Sequence, residues 1–330
     1  MTKIHVAMVA ALAAACGGGG KKPDTTTTTQ TTTTTPDTAT TTDTATQAAT
    51  TEPAKPEEKP APPPPRKVMK SMTPDELKWT PLVPEAGDKG PMVVGLWGDM
   101  MSEPNGFMIK LPAGDKGMLH THTNDYHGVG ITATGAWQDG GKNHAVAAGT
   151  YWFQPGGTAH ANTCPGKTPC IGFAHFNAGK FDFAPAKAAK GAKPDAKAVE
   201  KTLKAAKWTP FDAKDPKGGS WSAVWGDMSA GENGMFIKLP GGNKEFWHIH
   251  KADYHAVVLA GTVNNIESGS EAKDLPVGSY YMQPGGNKHT TNCKAGGPDC
   301  VIYVYVVDTF DTVPADDGSG GGAPSPSKLK

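Results

Sequence analysis

The chain has 330 residues, with 32 basic and 32 acidic side chains, so its formal net charge is zero. That balance gives no electrostatic ground for a nucleic-acid partner or for binding to an anionic membrane surface. A chain of this length has room for about two domains.

At the N-terminus, Lys3 precedes a short alanine-rich apolar run from Val6 to Ala15, and Cys16 follows at once. This is a secretory signal pattern, too short to span a bilayer. The segment "LAAAC" resembles a bacterial lipoprotein processing site, which would make residues 1–16 a signal peptide with its lipobox-like cysteine and Cys16 the lipidated first residue of the mature chain. The expected location is then the cell envelope, periplasmic or surface-exposed, with the membrane reached only through the lipid. An ordinary cleaved signal peptide is the alternative. Residues 17–75 are rich in Thr, Pro and Gly and are expected to form a disordered tether, since such composition cannot bury a core. About 60 residues of flexible coil reach on the order of 40 Å.

From residue 76 onward the chain repeats itself. "WGDMMSEPNGFMIKLPAG" at Trp97 returns as "WGDMSAGENGMFIKLPGG" at Trp225, and "KWTP" occurs at Lys78 and Lys207. A repeat offset of about 128–130 positions marks a duplicated domain, because solenoid units are far shorter. The boundaries read as residues 76–184 and 207–313, with a Lys/Ala-rich connector at 185–206 and a disordered tail at 314–330. Within each copy, short runs such as "NGFMIKLP", "GTYWFQP" and "VIYVYVVD" alternate and are cut by Gly/Pro turns. They predict an all-β sandwich or small barrel. In the connector, Pro194 to Trp208 has the Ala, Lys and Glu content of a helix.

Eight of the eleven histidines fall in two matched tetrads: His120, His122, His127 and His160, then His248, His250, His255 and His289. A strand has a side-chain period of two, so the His-x-His pair that opens each tetrad places two imidazoles on one face. Neutral imidazoles suit a divalent transition metal rather than Mg or Ca. The fourth ligand is expected to be His127 and His255, with the adjacent Asp125 and Asp253 as rival ligands or as hydrogen-bond partners of the ligand rings. Tyr126 and Tyr254 are candidate pocket residues, as is His175, though packing explains them equally well. Lys110 and Lys238 could meet an anionic substrate or snorkel to solvent. Gln154 and Gln283 read as turn-bonding, Trp97 and Trp225 as core, and His144 has no counterpart. Cys164 with Cys170 and Cys293 with Cys300 bracket equivalent short turns, which points to one disulfide per copy and an oxidising compartment.

These motifs resemble the cupin superfamily. Gly114 leads to His120 and His122, and Gly242 to His248 and His250, at the spacing of its first motif. Gly149, Pro155, Gly157 and His160, and then Gly278, Pro284, Gly286 and His289, fit its second. The resemblance implies two tandem cupin barrels, that is, double-stranded β-helix jelly rolls, each with one metal. Iron is favoured, then Zn, Cu, Ni or Mn. Where the family usually has glutamate, this chain offers His127 and His255. Cupins with histidine there resemble iron dioxygenases acting on small oxygenated molecules. A non-catalytic protein that binds a metal or small ligand is the alternative.

Overall fold

The computed structural model describes residues 67–132, 134–187, 195 and 197–316. The signal segment, Cys16, the tether as far as residue 66 and the tail beyond residue 316 lie outside the described residues.

Each repeat folds into two antiparallel sheets, as its alternating segments predict. In the first barrel the seven-stranded sheet runs Val199–Thr202, Thr150–Gln154, Tyr126–Thr132, Cys170–Phe176, Asn105–Leu111, Met92–Trp97, Thr80–Pro81. Its five-stranded partner holds Ala184–Pro185, His120–Thr121, His160–Thr163, Gly135–Asp139 and Lys142–Val146. The second barrel repeats this arrangement with a seven-stranded and a five-stranded sheet of its own. Its central strands are Tyr254–Ala260 and Cys300–Val306. One continuous apolar core joins the two large sheets, with Met108, Val129 and Tyr151 from one barrel and Phe236, Val257 and Tyr303 from the other.

The barrels also exchange their first strands. Lys70–Met72, which begins the first repeat, pairs with Tyr280–Met282 of the second barrel. Val199–Thr202, which begins the second repeat, pairs with Thr150–Phe153 of the first. Two expectations are corrected here. Residues before 76 already join the fold: Asn287 Nδ2 donates to the Lys67 carbonyl and the Met69 amide donates to Glu267. Among the described residues the connector forms no α-helix. Its described part is that edge strand followed by a 3₁₀ turn at Leu203–Ala205, because an open sheet edge offers backbone partners that outweigh helix propensity. At the C-terminal end, Val313–Pro314 still pairs with the sheet.

Both disulfides are present, Cys164–Cys170 and Cys293–Cys300, with Cα separations of 5.7 and 5.6 Å. Each ties the end of a small-sheet strand to the start of a large-sheet strand.

Candidate metal centres

The sequence brings three histidines together in each barrel, not four. The first is His120, His122 and His160, and the second is His248, His250 and His289, all six buried. Strand register explains the convergence. His160 stands directly opposite His120, and His289 directly opposite His248, on neighbouring antiparallel strands. The remaining histidine of each His-x-His pair follows two residues on and shares their face.

Every ring is oriented by its own backbone carbonyl. His120 Nδ1 bonds the Met118 carbonyl at 2.7 Å and His160 Nδ1 the Thr158 carbonyl at 3.1 Å. His248 Nδ1 bonds Phe246 at 2.8 Å and His289 Nδ1 bonds Asn287 at 3.1 Å. His122 and His250 bond the carbonyls of Asp182 and Asp311. A carbonyl can only accept, so the proton sits on Nδ1 and each Nε2 is left unprotonated. Burial lowers all six pKa values, His120 to about 4 and His250 to about 3, so the rings are neutral at pH 7. Neutral rings with preset tautomers are the form a transition metal requires.

His127 and His255 do not join these groups. Each follows a tyrosine on its strand and so faces the other way. His127 stacks on Trp225 of the second barrel, 4.1 Å between ring centres, and bonds the Tyr151 hydroxyl at 2.7 Å. His255 stacks on Trp97 of the first at 3.8 Å and bonds the Tyr280 hydroxyl at 2.7 Å. They belong to the interface between the barrels. His175 is there too, fully buried between His127 and Tyr305. It does not line the first triad, and Trp97 and Trp225 are interface residues in the same stack.

Tyr126 and Tyr254 face the triads instead. The Tyr254 hydroxyl lies 3.2 Å from His289 Nε2, and the Tyr126 ring packs edge-on to His122 at 5.2 Å. Asp125 and Asp253 contact no triad ring. They accept the Gly156 and Gly285 amides at 2.7 and 2.8 Å and so hold the Pro-Gly-Gly turns, and Asp253 also pairs with Lys67. Gln154 and Gln283 accept from Trp137 and Asn265 inside their barrels. Lys110 and Lys238 lie over Trp79 and Trp208. His144 pairs with Glu200 of the exchanged strand. Asp182 and Asp311, which orient His122 and His250, were not anticipated. The repeated "FDFAP" and "FDTVP" carry that signal.

The two interiors differ. Around the first triad, Phe183 stacks on His120 at 4.4 Å, and Phe176 and Phe181 flank His122 at 5.4 and 5.2 Å. At the positions of Phe176, Phe183 and Trp137 the second barrel has Val306, Thr312 and Asn265. A cavity of about 510 Å³, lined in part by Thr312, reaches His248, His250 and Tyr254. That volume is in the range of small-molecule sites.

Two barrels of this topology in one chain, each with converging histidines, make up a bicupin fold. Salicylate 1,2-dioxygenase from Pseudoaminobacter salicylatoxidans, solved as adducts with gentisate, superposes with a TM-score of 0.53. The alignment covers 74% of this chain and 83% of that one, at 12% identity. Oxalate decarboxylase from Bacillus subtilis superposes with a TM-score of 0.51, over 74% of this chain and 78% of that one, at 11% identity. At these identities the likeness is one of fold. No curated protein matches in sequence. Residues 71–313 match the family described as Domain of unknown function (DUF4437), and the chain belongs to that family.

Proposed function

We propose that each triad binds one divalent transition metal, and that the second barrel is the site of a metal-dependent reaction on a small oxygenated molecule. The observation that carries the metal reading is the set of six backbone-fixed Nδ1 atoms, which leaves six unprotonated Nε2 atoms turned inward. Three neutral ligands leave coordination positions open, unlike a closed four-ligand structural site. A metal held there would act as a Lewis acid and orient an oxygen-bearing substrate. Iron and dioxygenase-like chemistry are the leading form, supported by the imidazole donor set and by the fold shared with a salicylate dioxygenase.

The protein's own groups shape what enters. Phe246, Phe310, Ile302 and Val304 give the cavity apolar walls, while Tyr254 and Thr291 offer hydroxyls near the triad. In the first barrel, aromatic rings occupy the corresponding space, which favours a structural or purely metal-binding role there. The export and lipid-anchor reading rests on the N-terminal sequence and is supported by the two disulfides, which persist in oxidising compartments.

The test is metal analysis of anaerobically purified protein, followed by oxygen uptake with a panel of diketones, catechols and flavonoids. Two metals per chain, with turnover abolished by His250→Ala and retained in His122→Ala, is the expected result. Metal-free protein, or activity lost only with His122→Ala, would overturn it.

A further inference from the structure

Beside the second triad, the cavity holds a carboxylate that the first barrel lacks. Glu245 stands three residues before His248, where the first repeat has Gly117. Gly117 cannot be replaced in kind. Its φ is +64°, and a Cβ there would lie 2.3 Å from the Asn162 carbonyl oxygen. The carboxylate is therefore a feature of one barrel alone.

Its backbone is pinned on both sides. The Glu245 amide donates to Asn292 at 3.0 Å, and its carbonyl accepts from Thr290 at 2.7 Å. Its side chain lines the cavity with His248, His250 and Tyr254. Among the described residues the carboxyl makes no hydrogen bond or ion pair. Tyr254 and Tyr281 on the barrel floor feel its charge. The other charged groups along the cavity are otherwise engaged or peripheral. Asp311 holds the Lys251 amide at 2.8 Å, Asp212 holds the Lys214 amide at 2.8 Å, and Asp215 and Lys244 are exposed. Burial raises the Glu245 pKa to about 7, which would let it hold or release a proton near neutrality.

Resting on the proposed metal role of the second triad, we infer that Glu245 is the base that takes the hydroxyl proton of an enol or catechol-type substrate held at His248, His250 and His289. A dipositive metal on three neutral imidazoles favours an anionic oxygen, and the proton that oxygen sheds needs an acceptor inside the cavity. In the step, the substrate O–H bond breaks, its electron pair stays on the substrate oxygen, and an O–H bond forms on the Glu245 carboxylate. No oxidant or reductant is needed. The apolar walls fit a small ring or short enolisable chain.

The test uses the whole chain loaded with zinc, which is colourless and redox-inert, and 4-nitrocatechol as probe, since its ionised forms differ in colour. At about pH 8, where a carboxyl titrating near 7 is mostly ionised, the wild type should bind the probe while releasing about one proton fewer to solvent than Glu245→Gln does. Proton release is read by calorimetry in two buffers of different ionisation enthalpy. The Gln variant should keep both zinc ions, bind the probe about tenfold or more weakly, and lose the inflection near pH 7 that remains in the wild-type affinity profile once the probe's own ionisation is subtracted. Glu245→Asp should restore part of that inflection. Equal proton release and affinity in wild type and Glu245→Gln would overturn the assignment, and so would loss of zinc from the Gln variant. Wild-type protein that binds no zinc would remove the metal reading itself, and wild type that binds zinc but no probe would overturn the substrate class.

Discussion

The two barrels carry the same histidine triad on the same strands, yet only their linings decide what each triad can meet. Phe176 and Phe183 pack against the first triad, whereas Val306 and Thr312 stand at those positions in the second barrel, whose triad opens on a cavity. Duplication preserved the ligands and the carbonyls that orient them, while the inward positions of the strands diverged. A metal site and a substrate site are thus separable properties of one fold, the first set by register and the second by side-chain volume.

The largest expected effect removes a ligand. His122→Ala should lose one metal per chain and His250→Ala the other, with little effect on the second site, as read by elemental analysis. His127→Ala and His255→Ala should keep both metals and lose stability instead, because their rings stack on Trp225 and Trp97. Metal lost with His127→Ala would return that residue to the ligand set. Next in size, Val306→Phe with Thr312→Phe should close the second cavity and weaken small-molecule binding by about a hundredfold or more, since such sites depend on buried contact area. Both metals should stay. If binding survives, side-chain volume is not what separates the barrels.

The pH response should be common to both. In the fold the six triad pKa values are depressed by burial, while unfolded histidine titrates near 6.5. Below about pH 6.5 the unfolded chain binds more protons, so stability is full above that value and falls as pH descends toward about 4, where His120 titrates. Metal binding should fall in the same direction, with several protons taken up per metal released. Melting temperature and metal content followed from pH 8 to pH 4, with and without chelator, check this. Retention of metal in folded protein well below about pH 4, where His120 itself titrates, would contradict an all-imidazole site.

Much of this was legible in the residues. The repeat, the His-x-His pairs, the closing histidine after each Pro-Gly turn and the cysteine pairs all recur in both copies, and each maps to a local device. The fourth position was misread by a single residue. In a strand, Tyr126 and His127 point to opposite faces, so chemistry favoured the histidine while register chose the tyrosine. The connector failed for a different reason, since its partner is a strand edge about 50 residues away in sequence that composition cannot reveal. Glu245 was missed because it has no counterpart, and attention to repeated residues passes over what one copy alone has gained.

The smallest effect tests whether the divergence stops at the interior. Lys110 lies 4.6 Å from the Trp79 ring centre, and Lys238 lies 4.7 Å from that of Trp208. Replacing either lysine with Met keeps the alkyl stem and removes only the charge over the ring. A half-buried contact of this kind is worth about 1 kcal/mol. For a folded region of this size that is a fall of about 1–4 °C in melting temperature. The two substitutions should cost the same within error and leave both metals and small-molecule binding unchanged. A clear inequality, or a change in ligand affinity in Lys238→Met alone, would mean that the barrels have diverged on their outer faces as well, and that the second site is shaped from further away than its lining.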